Sequence, residues 1–390
     1  MRALVPEPTP TGPTPGSTFP GRHTAHGDPP EDFLLGCTPL GNHLNLVERP
    51  DPVPGPGQVL IRVRAAGVNR ADLLQARGAY APPPGASSVI GLECSGIVVA
   101  TGPGVTRCGV GEDVCALVPG GACADLCLAE EPLVLPLPLP CPNPPSGPRV
   151  MPGFSPLGFD SARSSGLDPA LAPHVLAALL VEASATAWMS LVEVGGLATD
   201  PADNAGRTVL VHGGTGSVGS VAIQLAQALG AKVLATAGSP QRAASCVSLG
   251  ADAAIDRHDN LVPFVRQHTE GRGVDLVLDV SGGPSLGTNV AVLARGGVLV
   301  VIGLLGGPRG ELDLSRMLHR DLTVRATTLR ARATPAKAQI CSAIETHVWP
   351  LVRRGLIRPV LAGIAPLTAA ALVHAAVQRG GSPGGWVLLP

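Results

Sequence analysis

The chain has 390 residues, a net charge of -1, 45% hydrophobic and 15% charged residues, and 50 Gly and 41 Pro. It is too apolar for global disorder, its Gly has no collagen-like period, and its charge gives no general reason to bind nucleic acid or an anionic membrane. The length calls for about two domains. Every long apolar stretch meets Gly, Pro or charge before about 18 residues, so no membrane-spanning helix is expected. The N-terminus lacks a secretory apolar region and an Arg-rich transit pattern, and the nine Cys read as free thiols, so a cytoplasmic protein is expected.

In chain order, Pro6 to Pro30 is rich in Pro, Thr and Gly without apolar periodicity and reads as a flexible insert. Gln58 to Arg64 has period-two character after the turn-rich Pro54 to Gly57, and Val89 to Thr101 and Asp113 to Pro119 add Gly-separated strands. This part reads as an all-β or α+β domain. A second poor stretch, Pro136 to Gly166, precedes a change of texture at Leu167. Thr208 to His212 reads as a buried strand. Ser217 to Leu229 reads as a helix, with apolar residues at Val218, Val221, Ala222, Leu225 and Leu229. Lys232 to Thr236, Val274 to Val280, Val298 to Ile302 and Leu322 to Thr328 read as further strands. The alternation predicts an α/β fold with a doubly wound parallel sheet. No internal repeat is visible.

The sharpest motif is Gly214-Thr215-Gly216-Ser217-Val218-Gly219, of the form G-x-G-x-x-G, with a predicted strand before it and a helix starting inside it. Gly214 is expected to permit the tight turn, Gly216 to let a pyrophosphate approach and Gly219 to let the helix pack close. The helix N-terminus then receives the anion on free N–H groups. An NAD site calls for a carboxylate at the end of the second strand. Here that strand runs into Ala235 to Ser239, followed by Arg242, and Arg257 follows a short third strand, Ala253 to Ile255. Ser239, Arg242 and Arg257 suit a 2′-phosphate, so NADPH is expected; alternatively the two arginines are solvated surface residues.

Several ordered segments resemble one family. These are Val53 to Arg64, Ala65-Ala-Gly-Val-Asn69-Arg-Ala-Asp72, Gly91-Leu-Glu93-Cys-Ser-Gly96, Val209 to Gly230, Gly271 to Gly283 and Thr328 to Arg332. The chain resembles the zinc-free quinone oxidoreductase (zeta-crystallin-like) group of the medium-chain dehydrogenase/reductase superfamily. The run Asn69 to Ser87, with Ala81-Pro-Pro-Pro-Gly-Ala-Ser87, most resembles its apoptosis-linked branch.

The resemblance implies a GroES-like β-rich catalytic domain over 1–166, with inserts near 6–39 and 141–165. It implies a Rossmann NADP-binding domain over 167–328 and a return to the catalytic domain over 329–390. It also implies a homodimer or homotetramer. Zinc alcohol dehydrogenases carry Cys where this chain has Asn69, and Gly-His-Glu where it has Gly91-Leu-Glu93. Leu cannot ligate zinc and Asn is a poor ligand, so no catalytic zinc is expected. Cys108, Cys115, Cys123, Cys127 and Cys141 are too irregularly spaced for a structural zinc and read as small buried residues.

Without a metal, hydride addition to a conjugated acceptor is the expected chemistry, because the anion formed is delocalised. The resemblance places Asn69 near the nicotinamide and the substrate oxygen, and Thr186 against the nicotinamide. Gly303 and Leu329 are carried over as cofactor contacts. Tyr80, the only Tyr, falls where relatives place a Tyr at the cleft and could donate to the reduced acceptor; alternatively it packs on Pro82 to Pro84. Arg330 and Arg332 line the cleft or pair with acids at the domain junction. His212 reads as structural, and His374 matches a family His of no assigned chemistry. Quinone or related enone reduction is expected. Enoyl-thioester or alkenal reduction, and a weakly active structural or RNA-binding protein, are the alternatives.

Overall fold

The computed structural model describes residues 1–7, 44–138, 168 and 170–390; apart from Pro6 and Glu7, the two expected inserts lie outside them. The chain opens with β1 (Arg2–Pro6), which pairs antiparallel with β2 (Leu44–Glu48), Ala3 opposite Val47. β3 (Gln58–Val68) runs beyond the alternating segment, because Ala65 to Val68 are buried on both sides and lose the polar phase that made the strand visible. α1 (Arg70–Ala76), β4 (Glu93–Thr101), β5 (Asp113–Leu117), β6 (Leu126–Glu130) and β7 (Val134–Pro136) follow.

Residues 172–194 form a continuous helical stretch: α2 (Ala172–Ala177), α3 (Val181–Trp188) and a π-helical turn, Met189–Val194. It is 23 residues long and its most apolar 18-residue window has a mean hydropathy of 1.8, long and apolar enough to cross a membrane, which corrects the expectation that no segment would be. Within the fold, 89% of its most apolar window is buried, as in a core helix. Pro173 and Glu182 do not interrupt it. Pro173 stands in the first turn, where no N–H is needed, and Glu182 joins a hydrogen-bond network described below.

The second half alternates strictly: β8 (Thr208–Val211), α4 (Ser217–Ala228), β9 (Lys232–Ala237), α5 (Pro240–Ser248), β10 (Ala253–Asp256), α6 (Leu261–His268), β11 (Val274–Asp279), α7 (Leu286–Val292), β12 (Leu293–Val301), α8 (Leu314–Arg320) and β13 (Thr323–Ala326). The six strands are parallel, in the order β10-β9-β8-β11-β12-β13. Val209, Val211, Val233 and Leu276 face one core and Leu210, Leu234, Val277 and Leu299 the other. A sheet buried on both faces needs such continuous apolar runs. The strand order reverses between β8 and β11, and in open α/β sheets the ligand crevice lies at the carboxyl ends of the strands there.

The chain ends with α9 (Thr334–Ala343), α10 (Trp349–Arg353), β14 (Leu361–Pro366), α11 (Ala370–Arg379) and β15 (Gly385–Leu389). β14 and β15 join the first sheet, ordered β14-β15-β3-β4-β5-β7, with β6 also paired to β3. The returning chain is tied to the glycine turn and to α4. Gly384 N–H donates to Thr215 O at 2.8 Å, and Gln224 exchanges two 2.9 Å bonds with the Arg358 main chain.

Candidate active site

The glycine turn joins β8 to α4. The left-handed residue of the turn is Gly213 (φ +66), which precedes the motif. Gly214 is required for packing instead: a Cβ there would lie 2.7 Å from Cys246 Sγ and 2.8 Å from Ile223 Cδ1. At Gly219 a Cβ would strike Gly213 O and lie 2.9 Å from both Gly213 C and Gly214 Cα, so the helix presses directly on the turn. Gly216 differs from both. It is exposed, it is the N-cap of the 12-residue α4, and a Cβ would meet only Gly213 O, at 3.4 Å. That open surface on a helix N-terminus suits an anionic group. Ser217 and Val218 form the first turn beside it, half-buried, and Thr215 is buried.

Gly238 and Ser239 stand at the end of β9. Ser239 Oγ accepts the Arg242 N–H at 3.3 Å and so caps α5. Arg242 is half-buried against Gly238, and its Nε is buried without a hydrogen-bond partner. Arg257 is exposed, and its main-chain N–H bonds Ala237 O at 2.8 Å, which brings both arginines to the same corner of the sheet. β10 extends through Asp256, one residue further than expected, which sets a carboxylate opposite Ala237. That carboxylate accepts the His258 N–H at 3.0 Å, closing its own turn.

A second group assembles past the carboxyl ends of β12 and β13. Thr327 N–H bonds Val301 O at 3.0 Å and starts the segment that crosses to α1. Tyr80 OH and Thr328 Oγ1 are 2.9 Å apart, and Arg330 lies over the Tyr80 ring, 5.2 Å from its centroid. Arg330 is buried, donates to Pro119 O at 2.9 Å and to Gln75 Oε1 at 2.5 Å, and leaves Nη1 buried without a partner. Tyr80 thus faces the crossing segment, hydrogen-bonded to Thr328 and covered by Arg330. Arg332 pairs with Glu193 at 2.5 Å. Leu329 packs its side chain into the core, which leaves only its main chain for a ligand, and Gly303 follows β12 with a Cβ position 2.9 Å from Val280 O.

Asn69 is the buried N-cap of α1; its N–H donates to Asp72 Oδ2 at 2.7 Å and its Nδ2 to Glu93 Oε1 at 2.8 Å. Burial raises the Asp72 carboxyl to about 7, against the opposing pull of the Asn69 N–H and Arg330. Thr186 is buried on α3 and donates to Glu182 Oε1 at 2.9 Å. Glu93 lies in the Gly91-Leu-Glu93 motif, which carried no role once zinc was set aside, and Glu182, inside an apolar helix, carries no spacing signal.

His212 bridges Thr236 at 2.9 Å and Asn289 at 2.8 Å, and burial lowers its pKa: a neutral structural imidazole. His174 contacts Ser95 Oγ at 2.6 Å and Asp113 at 3.2 Å, but Ser95 is fully buried, so the trio ties α2 to β4 and β5 rather than presenting a nucleophile. Among the described residues no group of three His, Cys, Asp or Glu side chains could hold a metal ion. Asn69 commits its Nδ2 to Glu93, and Leu92 is apolar and buried, so this corner does not fit a zinc ion.

Residues 55–138 match the alcohol dehydrogenase GroES-like domain family and 217–342 the family described as zinc-binding dehydrogenase. A quinone oxidoreductase of Pseudomonas aeruginosa is 32% identical over 344 residues, spanning 86% of this chain and 92% of that protein. The chain belongs to the quinone oxidoreductase group of the medium-chain dehydrogenase/reductase superfamily. As a medium-chain oxidoreductase it pairs a GroES-like domain with a Rossmann-like parallel sheet. The structure of mycobacterial Rv1454c complexed with NADPH superimposes with a TM-score of 0.71 at 26% identity, covering 90% of this chain and 96% of that one. A phthioceranic/hydroxyphthioceranic acid synthase of Mycobacterium tuberculosis is 35% identical over 251 residues, 64% of this chain; the match spans only 10% of that protein's length.

Proposed function

We propose that the chain is a cytosolic, metal-independent NADPH-dependent reductase of quinones or related conjugated carbonyl compounds. In this reading 1–166 and 329–390 form the catalytic lobe and 167–328 the cofactor lobe. The observation that carries it is a juxtaposition at the carboxyl ends of the parallel strands. An open glycine cradle with the unpartnered Arg242 Nε lies past β8 and β9, and the Tyr80, Thr328 and Arg330 group past β12 and β13 of the same sheet. The NADPH complex of the mycobacterial relative supports the cofactor. The seven described Cys are all free thiols, as a reducing compartment leaves them.

The residues present fit NADPH. Gly216 and the first turn of α4 would hold the pyrophosphate, Ser239, Arg242 and Arg257 the 2′-phosphate, and Thr186 and Asn69 the nicotinamide end. When bound, NADPH supplies the hydride. The chain's own residues then orient the acceptor and manage the proton. Tyr80 OH donates a hydrogen bond, and finally a proton, to the acceptor oxygen as negative charge develops there. Arg330, stacked on that ring with an unpartnered Nη1, stabilises the same charge.

A second reading, reduction of an enoyl thioester, is favoured by the acid-synthase relatives. An acceptor panel separates the readings: ortho-quinones should stimulate NADPH oxidation more than alkenals or enoyl thioesters. Turnover of enoyl thioesters alone would replace the first reading with the second. NADPH binding without turnover of any acceptor would favour a weakly active structural or RNA-binding protein. The chain should also self-associate as a homodimer or homotetramer. β13 is an edge strand, and Leu305, Leu314 and Leu318 are exposed nearby. Sedimentation of the Leu314→Glu, Leu318→Glu variant as a monomer tests this; an unchanged assembly would contradict it.

A further inference from the structure

Two acids outside the proposed reaction lie between two side chains that take part in it. Glu93, buried on β4, accepts Asn69 Nδ2 on Oε1 at 2.8 Å and the Glu182 main-chain N–H on Oε2 at 2.9 Å. Room for this carboxylate exists because residue 67 is Gly: a Cβ there would lie 2.5 Å from Glu93 Oε1. Glu182, at the start of α3, accepts the Thr186 hydroxyl at 2.9 Å one turn along, and Thr186 O accepts Ser190 Oγ–H at 2.6 Å. An unbroken chain therefore runs from the Asn69 amide through Glu93 and the N-terminus of α3 to Glu182, Thr186 and Ser190.

An unrestrained Asn amide can turn over and exchange donor for acceptor, and an unrestrained Thr hydroxyl rotates freely. The bond to Glu93 removes the first freedom. The bond to Glu182 removes the second and leaves Thr186 Oγ1 only as an acceptor for any further partner. Holding these acids is costly, because Asp72 and Glu182 face Glu93, Arg330 acts on Asp72 alone, and burial raises both glutamic carboxyls. Such a cost is retained where orientation matters more than stability.

We propose that Glu93 and Glu182 are positioning residues of this reductase: Glu93 holds the Asn69 amide, and Glu182 the Thr186 hydroxyl, in the single orientation that the cofactor and acceptor meet. The inference rests on the placement of Asn69 and Thr186 at the nicotinamide end proposed above.

The test uses the full chain, with NADPH binding followed by fluorescence titration and anisotropy, and hydride transfer to an ortho-quinone followed in single turnovers. Glu182→Ala and Glu93→Ala should bind NADPH within about threefold of the parent. They should also lower the anisotropy of the bound nicotinamide and slow hydride transfer roughly 10- to 100-fold, as small misplacements do. Glu182→Gln, which keeps an acceptor oxygen for Thr186, should recover most of the Glu182→Ala loss. Glu93→Gln should recover less, since one oxygen must then serve two donors. Thr186→Val should mimic Glu182→Ala, and the double variant should be no slower than either single one.

Hydride transfer in Glu182→Ala equal to the parent's would overturn the proposal. So would Glu182→Gln as slow as Glu182→Ala, or losses that multiply in the double variant. Should the Ala variants fail to fold, the near-isosteric Glu182→Gln and Thr186→Val carry the same cycle. If the parent binds NADPH but reduces no acceptor, the proposed reaction fails, while the anisotropy still decides the positioning role.

Discussion

Gly219→Ala sets two physical effects of opposite sign against each other. Ala is favoured over Gly within a helix by about 1 kcal/mol, so on propensity alone the substitution in the first turn of α4 would stabilise the protein. The packing says otherwise. The new Cβ would strike Gly213 O and lie 2.9 Å from Gly213 C and Gly214 Cα, where carbon atoms prefer about 3.5 Å or more, so the turn would have to retreat by at least about 0.6 Å, and further at Gly213 O. It has no slack, because Gly214 N–H is bonded to Thr236 O and Gly216 N–H to Gly213 O, both at 2.9 Å. Overpacking of this kind costs about 1–3 kcal/mol, and straining those bonds adds to it. The expected net result is a destabilisation of about 1–3 kcal/mol, read as a lower urea midpoint at unchanged slope, together with NADPH binding weakened at least about tenfold. Gly216→Ser is the matched control. Its Cβ meets only one oxygen, at 3.4 Å, and Ser is a good N-cap, so stability should stay within about 0.5 kcal/mol while NADPH affinity falls. A Gly219→Ala protein as stable as the parent, or a Gly216→Ser protein with normal NADPH affinity, would refute the reading of this turn.

Three further outcomes are expected. Tyr80→Phe should slow acceptor reduction about 100-fold with NADPH affinity unchanged, the bond to Thr328 costing only about 1 kcal/mol of stability; unchanged turnover would remove the phenol from the reaction. Arg330→Met should destabilise by about 2–4 kcal/mol, since it abandons Gln75, Pro119 and the Tyr80 ring, whereas Arg332→Ala, which removes the partly exposed pair with Glu193, should cost about 1 kcal/mol or less; equal losses in chemical denaturation would contradict the difference in burial. His374 is fully buried with both ring nitrogens unpartnered, and burial, with Arg77 nearby, pushes its pKa down to about 4. Because the folded value lies below the unfolded one near 6.5, stability is full above pH 6.5 and falls by up to about 3 kcal/mol as pH drops towards 4. His374→Leu should remove that part of the pH dependence in urea titrations at pH 7.5 and pH 5; an identical pH dependence would contradict it.

The parallel sheet was legible because its strands are continuous apolar runs between helices of clear period, as in Thr208 to Val211 and Val274 to Asp279. β6, β14 and β15 escaped. β14 is only half-buried, and Gly363 within it is there to admit the Trp386 ring of the next strand, whose Cη2 would lie 2.7 Å from a Cβ. The G-x-G-x-x-G pattern located the glycine turn between β8 and α4, whose left-handed conformation belongs to Gly213, outside the motif. Tyr80 and Arg330 are 250 positions apart, and only the crossing of Thr327 to Arg330 onto α1 reveals them as one group. Glu93 stood in a quoted motif without a role and Glu182 stood in none, because what each does depends on the partners the fold brings to it.

The most direct test of the account is a parallel titration of NADPH and NADH against the parent chain and Arg242→Ala. The account predicts that the substitution weakens NADPH binding by about 1–3 kcal/mol, roughly 5- to 150-fold, and leaves NADH nearly unchanged. An equal loss for both cofactors, or a parent chain that prefers NADH, would contradict it.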